Sequence, residues 1–256
     1  MTYDDTGGGG QAVVLLHGFP FDRSMWRGQA EALGAEFRVV APDLRGLGEA
    51  TSDSVGVTIE AMADDVRALL DELGIGRAVI GGLSMGGYVA FEFFRQFPER
   101  VRALVLADTR PQADTEEGRR ARAENAQRAL KEGMAPIVDS MLPKLLSAET
   151  RERGGEVPGR VRAMMLGTRP EGAAAALRAM ASRRDQTDLL SSIDVPTLIV
   201  VGSEDVITPP ADAEAMRAKI ESSRLVVVEG AGHLSNVEQA EQFNRALVEF
   251  LRGLSA

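Results

Sequence analysis

The chain of 256 residues contains no cysteine and only two histidines, and it lacks any apolar run of the length that a membrane requires. The absence of cysteine excludes disulfides, thiolate catalysis and metal sites built on cysteine. Because a transmembrane helix needs about 18 or more consecutive apolar residues, the sequence predicts none. The scarcity of histidine leaves His17 and His233 as the two candidates for a histidine general base.

The charge of the chain narrows the classes of partner. The net charge is −9, from 29 Lys and Arg against 38 Asp and Glu. An acidic surface argues against nucleic acids and anionic membranes, which leaves a small molecule as the expected partner. The N-terminal stretch lacks the basic and apolar regions of a signal peptide, so we expect a cytoplasmic protein. We expect a monomer or a homodimer.

Short apolar runs alternate with helical patterns along most of the chain. Continuous apolar runs are typical of strands that are buried on both faces, and their alternation with helices predicts an α/β fold with a mostly parallel, doubly wound sheet. The predicted strands are 12–16, 38–41, 78–80, 103–107, 197–201 and 224–228. The predicted helices between and after them are 58–73, 88–97, 211–220 and 238–252.

The alternation stops between residues 110 and 190, where no strand pattern is present. This stretch instead predicts helices at about 115–132, 135–146, 156–167 and 171–184, separated by glycine and proline. We therefore expect residues 1–109 and 191–256 to form one core domain. Residues 110–190 are expected to form an all-helical insertion between two of its strands.

The segment from Gly82 to Gly86 reads Gly-Leu-Ser-Met-Gly and lies between a predicted strand and a predicted helix. It fits the G-x-S-x-G pattern of a nucleophile elbow. Such a turn holds its serine at a positive φ, and glycines on both sides avoid a clash where the strand meets the helix. Ser84 would then project above a helix N-terminus, which favours developing negative charge.

A serine hydroxyl is a poor nucleophile and needs a base. His233 lies in a glycine-rich loop after the last predicted strand, at the sheet edge where open α/β folds bind ligands. Asp205 follows the preceding strand at the same edge and can hold the histidine in the required tautomer. Glu204 and Asp108 are alternatives for the acid, and Asp108 is otherwise expected to cap its loop or to line the pocket.

The first predicted strand ends in His17-Gly18-Phe19-Pro20. We predict that the backbone N–H groups of Phe19 and Met85 form an oxyanion hole, and that His17 is structural. The segment Asp43 to Gly46 is expected to be a turn held by an Asp–Arg contact and to have no part in catalysis. The candidate pocket residues are Trp26, Met141, Val206 and Leu234, with helix packing an equal alternative for Trp26.

Taken together, these motifs resemble the α/β-hydrolase superfamily, in its branch with a serine nucleophile and a helical cap. Within this branch, the chain resembles small bacterial carboxylesterases and enol-lactonase-like hydrolases. The resemblance implies that the insertion is a cap over Ser84 and that no metal or organic cofactor takes part. It also implies an N-terminal hairpin, whose first strand we expect to be missing or vestigial because few residues precede 12–16.

The expected activity is hydrolysis of carboxylic esters with small to medium acyl chains, through an acyl-enzyme on Ser84. Lactone hydrolysis (particularly of an enol-lactone), C–C bond hydrolysis and perhydrolysis use the same residues and remain alternatives, because pocket shape sets that choice. A non-catalytic receptor for a small ligand is the alternative from a different class.

Overall fold

The computed structural model describes residues 1–50 and 56–254. Residues 51–55 and 255–256, which the sequence analysis assigns to the core domain, lie outside that description. Seven strands form one sheet with the spatial order β1-β3-β2-β4-β5-β6-β7. They are β1 (Tyr3–Asp5), β2 (Ala12–Leu16), β3 (Arg38–Pro42), β4 (Ala78–Leu83), β5 (Val101–Ala107), β6 (Thr197–Gly202) and β7 (Ser223–Val228).

All neighbouring strands pair in parallel except β1, which runs antiparallel to β3. The mostly parallel α/β sheet predicted from the sequence is therefore confirmed. Every residue of β2, β4 and β6 is buried, as expected for apolar strands with helices on both faces of the sheet. The carboxyl ends of the parallel strands meet at one edge, and this edge carries the motifs discussed below.

Helices connect the strands, with α1 packed on α11 and α2 packed on α3. Their bounds are α1 (Arg27–Leu33), α2 (Ile59–Glu72), α3 (Met85–Gln96), α4 (Glu116–Glu132), α5 (Ala135–Leu145), α6 (Ala148–Arg153), α7 (Glu156–Gly167), α8 (Pro170–Ser182), α9 (Pro210–Lys219), α10 (Ser235–Glu238) and α11 (Ala240–Gly253). Within the described ranges, no helix is long and apolar enough to cross a membrane.

Helix α2 illustrates how local sequence sets an element. Thr58 lies just before the helix, and its hydroxyl accepts a 3.0 Å hydrogen bond from the N–H of Ala61, which caps an otherwise unpaired donor. The apolar side chains recur at helical spacing and face the core: Ile59, Met62, Ala63, Val66, Leu69 and Leu70 are all buried. The cap and this stripe together fix where α2 begins and which face it buries.

The segment between β5 and β6 contains α4 to α8 and no strand. Four of these helices lie within two residues of their predicted bounds, and α6 is an addition, since its six residues are too short for a periodic apolar pattern. At the N-terminus, the strand expected to be missing or vestigial is present as the three residues of β1, with Tyr3 opposite Pro42.

Candidate active site

Ser84 occupies the sharp turn between β4 and α3, with φ 54° and ψ −113°. A positive φ is sparsely populated for a non-glycine residue and persists only where its surroundings hold it. Two neighbouring contacts do so: the N–H of Ser84 donates to the carbonyl of Ala107 at 3.0 Å, and Thr109 Oγ1 donates to the carbonyl of Ser84 at 2.8 Å. The serine is thus anchored to the end of β5.

The two glycines of the motif are required by close approach rather than by their backbone angles. A Cβ on Gly82 would overlap the carbonyl oxygen of Gly86 and lie 2.6 Å from the nitrogen of Gly87. A Cβ on Gly86 would overlap the carbonyl oxygen of Leu16 at the end of β2. Because glycine has no Cβ, the chain can approach this closely at both positions, and the turn packs directly against the end of β2.

Asp205 and His233 form a buried pair in the loops that follow β6 and β7. His233 Nδ1 lies 2.8 Å from Asp205 Oδ2. The remaining bonds to this carboxylate come from the N–H groups of Ile207 and Thr208, at 2.8 and 3.0 Å, and from the Thr208 hydroxyl at 2.7 Å. Because all of these partners donate, the carboxylate is held as an anion and the imidazole proton is held on Nδ1. Nε2 is left as an acceptor.

The protonation of the pair follows from these contacts. Burial alone would raise the pKa of Asp205, but the charge of His233 and the hydrogen bonds from His233 and Thr208 outweigh it and lower that pKa below its ordinary 3.8. Burial alone would lower the pKa of His233, but the charge and hydrogen bond of Asp205 raise it above its ordinary 6.5. The ring therefore gains its proton easily and holds it against an ionised carboxylate.

Ser84 and His233 reach the same edge of the sheet through β4, β5, β6 and β7, which pair in that order and in parallel. Across the part of the chain that the structure describes, no hydrogen bond joins Ser84 Oγ to the His233 ring. Bonds between a nucleophile and its base are often long in the absence of a ligand and tighten in the complex. The serine is partly exposed, whereas His233 and Asp205 are each only 3% exposed.

The loop after β2 lies against the serine turn. A Cβ on Gly18 would lie 3.3 Å from the carbonyl oxygen of Leu83 and 3.5 Å from Ser84 Cβ. Among the described residues, neither the N–H of Phe19 nor that of Met85 donates to a protein acceptor. Both donors lie on segments that adjoin the serine turn, and the oxyanion hole that they would form stays a prediction.

His17 is fully buried and uses both ring nitrogens within the protein. Nδ1 lies 2.9 Å from the carbonyl oxygen of Gly18, and Nε2 accepts from the N–H of Leu44 at 3.0 Å. Because Nδ1 donates and Nε2 accepts, the ring is neutral, and burial lowers its pKa. His17 therefore joins the ends of β2 and β3 and has no free nitrogen for a second base.

The turn after β3 carries an Asp–Arg contact, as expected, but the arginine that pairs with Asp43 lies outside the motif. Asp43 pairs with the guanidinium of Arg23 and also accepts from the N–H of Glu49 at 2.8 Å. Arg45 instead pairs with Asp65 on α2. Asp43 and Arg45 are two positions apart, yet they pair with residues of different elements. Only the tertiary fold decides which charged side chains pair.

The alternatives for the acid occupy other positions. Glu204 is exposed, and its Oε2 accepts from the N–H of Ala148 at 3.3 Å. Asp108 is fully buried and accepts hydrogen bonds from Gly202 and Ser235. Asp205 is the carboxylate that contacts the imidazole. Sequence reasoning missed Thr208, although an aspartate that accepts from backbone N–H groups two and three residues later forms a known local turn.

The candidate pocket residues fall in different environments. Trp26 is buried in the core, with its ring centroid 6.0 Å from that of Phe243 on α11, a packing position. Leu234 is fully buried next to His233, and Met141 is partly buried against the core. Val206 is 70% exposed beside Asp205. Their assignment to a substrate pocket stays a prediction.

The helical insertion touches the loops on both sides of the serine turn. On one side, the carbonyl of Leu145 accepts from the N–H of Leu234 at 3.2 Å. On the other side, Thr168 Oγ1 donates to the carbonyl of Pro20 at 2.8 Å. Within the described residues, no group of three or more acidic or histidine side chains is arranged to hold a metal ion.

Comparison with known proteins agrees with this architecture. A family model described as alpha/beta hydrolase fold matches residues 11–240. The chain is 32% identical over 244 residues to 3-oxoadipate enol-lactonase 1 of Acinetobacter baylyi, which covers 95% of this chain and 89% of the relative. Among solved structures, a malate-bound thermophilic esterase from Thermogutta terrifontis superposes with a TM-score of 0.97 at 46% identity, over 100% of this chain and 94% of that one. The enol-lactonase from Burkholderia xenovorans superposes with a TM-score of 0.91 at 31% identity, over 98% and 96%.

Proposed function

The chain belongs to the α/β-hydrolase fold family, and on that premise we propose that it is a serine hydrolase of carboxylic esters. The observation that carries the proposal is the buried His233–Asp205 pair, which shares one sheet edge with a serine held at positive φ. Ester bonds are favoured over other acyl compounds because the 46% identical structural neighbour is an esterase.

In the proposed reaction, His233 Nε2 takes the proton of Ser84 Oγ as the oxygen attacks the ester carbonyl. The N–H groups of Phe19 and Met85 donate to the oxyanion that develops on the carbonyl oxygen. His233 then gives its proton to the departing alcohol, which leaves an acyl group on Ser84. Water attacks this acyl-enzyme with the same histidine as base, and the acid is released.

Asp205 has two roles in this sequence. Its hydrogen bond holds the proton of His233 on Nδ1, so that Nε2 faces the serine as a base. Its negative charge stabilises the imidazolium that forms in both half-reactions. The donors from Ile207 and Thr208 keep the carboxylate ionised and in place, and so support the ring indirectly.

Residues 110–190 act in this proposal as a cap that closes the site on the side away from the sheet. The contacts of Leu145 and Thr168 with the loops on either side of Ser84 support that placement. Met141 and Leu234 are the expected apolar walls between cap and core. Since the cap sets the pocket shape, it also decides which esters are accepted.

Lactone hydrolysis is the second candidate function. The specific observation in its favour is that the Acinetobacter and Burkholderia relatives, at 32% and 31% identity, are enol-lactonases. A lactone is a cyclic ester, so the serine chemistry is unchanged and the leaving alcohol stays attached to the acyl group. The two candidates thus differ only in how the pocket accommodates the ring.

The test is hydrolysis of p-nitrophenyl esters from acetate to decanoate, and of lactones, by the wild-type protein and Ser84→Ala. We expect Ser84→Ala to lower kcat by about 10⁴-fold or more, as for other serine hydrolases that lose the nucleophile. Ser191→Ala is the matched control, because Ser191 is an exposed serine whose hydroxyl donates to the carbonyl of Asp188, three residues earlier in the chain. It should retain wild-type turnover.

The outcomes separate the candidates. Serine-dependent turnover with an optimum among the linear esters supports the esterase, and a higher kcat/KM for lactones than for any ester moves the assignment to a lactonase. Failure of a fluorophosphonate to label Ser84 in the folded protein would overturn the proposal and favour a receptor.

A further inference from the structure

Asp108 is a buried carboxylate that the proposed reaction does not use. It directly follows β5, has a positive φ of 42°, and is fully buried. Apart from Ser84, it is the one non-glycine residue in the described ranges with a positive φ. Strained backbone of this kind clusters at functional sites, where the surrounding contacts hold it. As at Ser84, contacts with neighbouring strands and loops hold this backbone in place.

The two carboxylate oxygens of Asp108 contact two different loops. Oδ1 accepts from the N–H of Gly202 at 2.8 Å, and Oδ2 accepts from Ser235 Oγ at 2.5 Å. Gly202 ends β6, three residues before Asp205, and Ser235 begins α10, two residues after His233. One side chain thus joins the segment that carries the acid to the segment that carries the base.

The residues on either side of Asp108 hold the serine turn. Ala107 accepts from the N–H of Ser84 at 3.0 Å, and Thr109 donates to the carbonyl of Ser84 at 2.8 Å. The backbone N–H of Asp108 donates to the carbonyl of Val200 at 2.8 Å. Three consecutive residues therefore connect all the segments that carry the proposed nucleophile, acid and base.

We propose that Asp108 is a positioning residue that sets the placement of His233 relative to Asp205 and Ser84. The inference rests on the proposed function, since it assigns a role beside the same serine and histidine. Asp108 does not touch the substrate in this account. It holds the His233 loop against the Asp205 loop through Ser235 and Gly202, and its negative charge favours the protonated form of the imidazole.

The charged groups around His233 shift the pKa of its ring, and the Asp108 carboxylate is one of them. Asp205 and Asp108 both raise the pKa of the ring, whereas Arg110, two residues beyond Asp108, opposes them. Burial, followed by the charge of Asp205, raises the pKa of Asp108 itself to about 7. The ionised form of Asp108 stabilises the imidazolium, and protonation of Asp108 removes that contribution. The two carboxylates and the ring therefore titrate as a coupled group.

The experiment uses Asp108→Asn, which removes the charge and keeps the shape. The amide oxygen can accept from the N–H of Gly202, and the amide nitrogen can donate to Ser235 Oγ. The rate of fluorophosphonate labelling of Ser84 is measured against pH, so that no knowledge of the natural substrate is needed. We expect the acid limb of the labelling profile to move to lower pH and the plateau rate to fall by roughly tenfold, a typical effect of losing an indirect partner.

Asp43→Asn is the matched control. Asp43 is an equally buried carboxylate that accepts backbone N–H bonds, but its ion-pair partner is Arg23, and the imidazole on which its charge acts is that of His17 rather than His233. Thermal melting is recorded for both variants, because both lose a buried charge. We expect Asp43→Asn to lower the Tm while the acid limb of Ser84 labelling stays at the wild-type pH.

A wild-type acid limb and a wild-type plateau rate in Asp108→Asn would overturn the inference. A lower Tm together with an unmoved acid limb would also overturn it, since Asp108 would then be structural in the same sense as Asp43. If the wild-type protein itself is not labelled at Ser84, it is the proposed function that fails. If wild-type Ser84 is labelled and only the Asp108→Asn profile is unchanged, the inference alone fails.

Discussion

Replacing Gly86 with alanine tests the packing of the serine turn with the smallest possible change. A Cβ at this position would overlap the carbonyl oxygen of Leu16, and it would lie 2.6 Å from the Leu16 carbonyl carbon and 2.9 Å from the carbonyl oxygen of His17. Ordinary contacts between such atoms lie at about 3.5 Å, so the turn and the end of β2 must separate by about 1 Å. The obstacle is backbone and cannot rotate away.

The expected loss has two parts. Overpacking of this kind costs about 1–3 kcal/mol in the free energy of unfolding. For a domain of this size each kcal/mol lowers the Tm by about 2–4 °C, which gives a fall of about 2–12 °C. The separation also moves Phe19 and its loop away from Ser84, and a misplacement of about 1 Å can cost about 100-fold in rate. We therefore expect kcat to fall more than stability alone would explain.

The assay combines thermal melting with ester hydrolysis well below the Tm of the variant. Gly159→Ala is the matched control, because Gly159 is an exposed residue of α7 with nothing within 4 Å of an added Cβ. It should melt at or slightly above the wild-type temperature, since alanine favours a helix by up to about 1 kcal/mol over glycine. A Gly86→Ala protein with wild-type kcat and Tm would refute the close-approach argument.

Two further changes probe the acid–base pair and the core. Asp205→Asn should lower kcat by about 10⁴-fold, because the amide no longer enforces the required tautomer. In the wild-type protein, kcat/KM should rise with pH as His233 loses its proton, with a midpoint above the ordinary 6.5 because the pKa of His233 is raised. In Asp205→Asn, this rise should occur at lower pH. A rise at the wild-type pH would contradict the pairing of Asp205 with His233. Trp26→Ala should cost about 3–5 kcal/mol by urea unfolding, through the cavity left beside Phe243. A change in acyl-chain preference without that loss would instead favour a pocket role.

The parallel strands could be predicted from the sequence because each is a short apolar run, and β2, β4 and β6 are buried along their whole length. The predicted run 12–16 agrees with β2, and the runs that predict β3 to β7 differ from the structure by at most three residues at an end. β1 offered no such signal. Its residues, Tyr-Asp-Asp, are polar and partly exposed, and they form a strand only because β3 presents an unpaired edge. Tertiary pairing therefore decides this element.

The candidate catalytic residues were predictable for a different reason. Ser84 lies in a pattern whose glycines are demanded by local geometry, and a chain with two histidines leaves little choice of base. The partners of Arg23 and Arg45 were not predictable, because they lie on other elements and depend on how those elements pack. Local motifs reveal which residues can react, and they say little about which charges meet.

Asp108 shows both sides of this difference: its place after a strand could be predicted from the sequence, and its contacts could not. Its contacts reach Gly202 and Ser235, which lie 94 and 127 residues away along the chain, and no local pattern connects them. The sequence shows an aspartate after a buried strand, a position that fits an acid, a cap or a pocket wall equally well. Only the pairing of β5, β6 and β7 brings its carboxylate between the loop that carries Asp205 and the loop that carries His233. If its charge acts on His233 as proposed, the pH dependence of the reaction is set by the pairing of strands as much as by the residues that react.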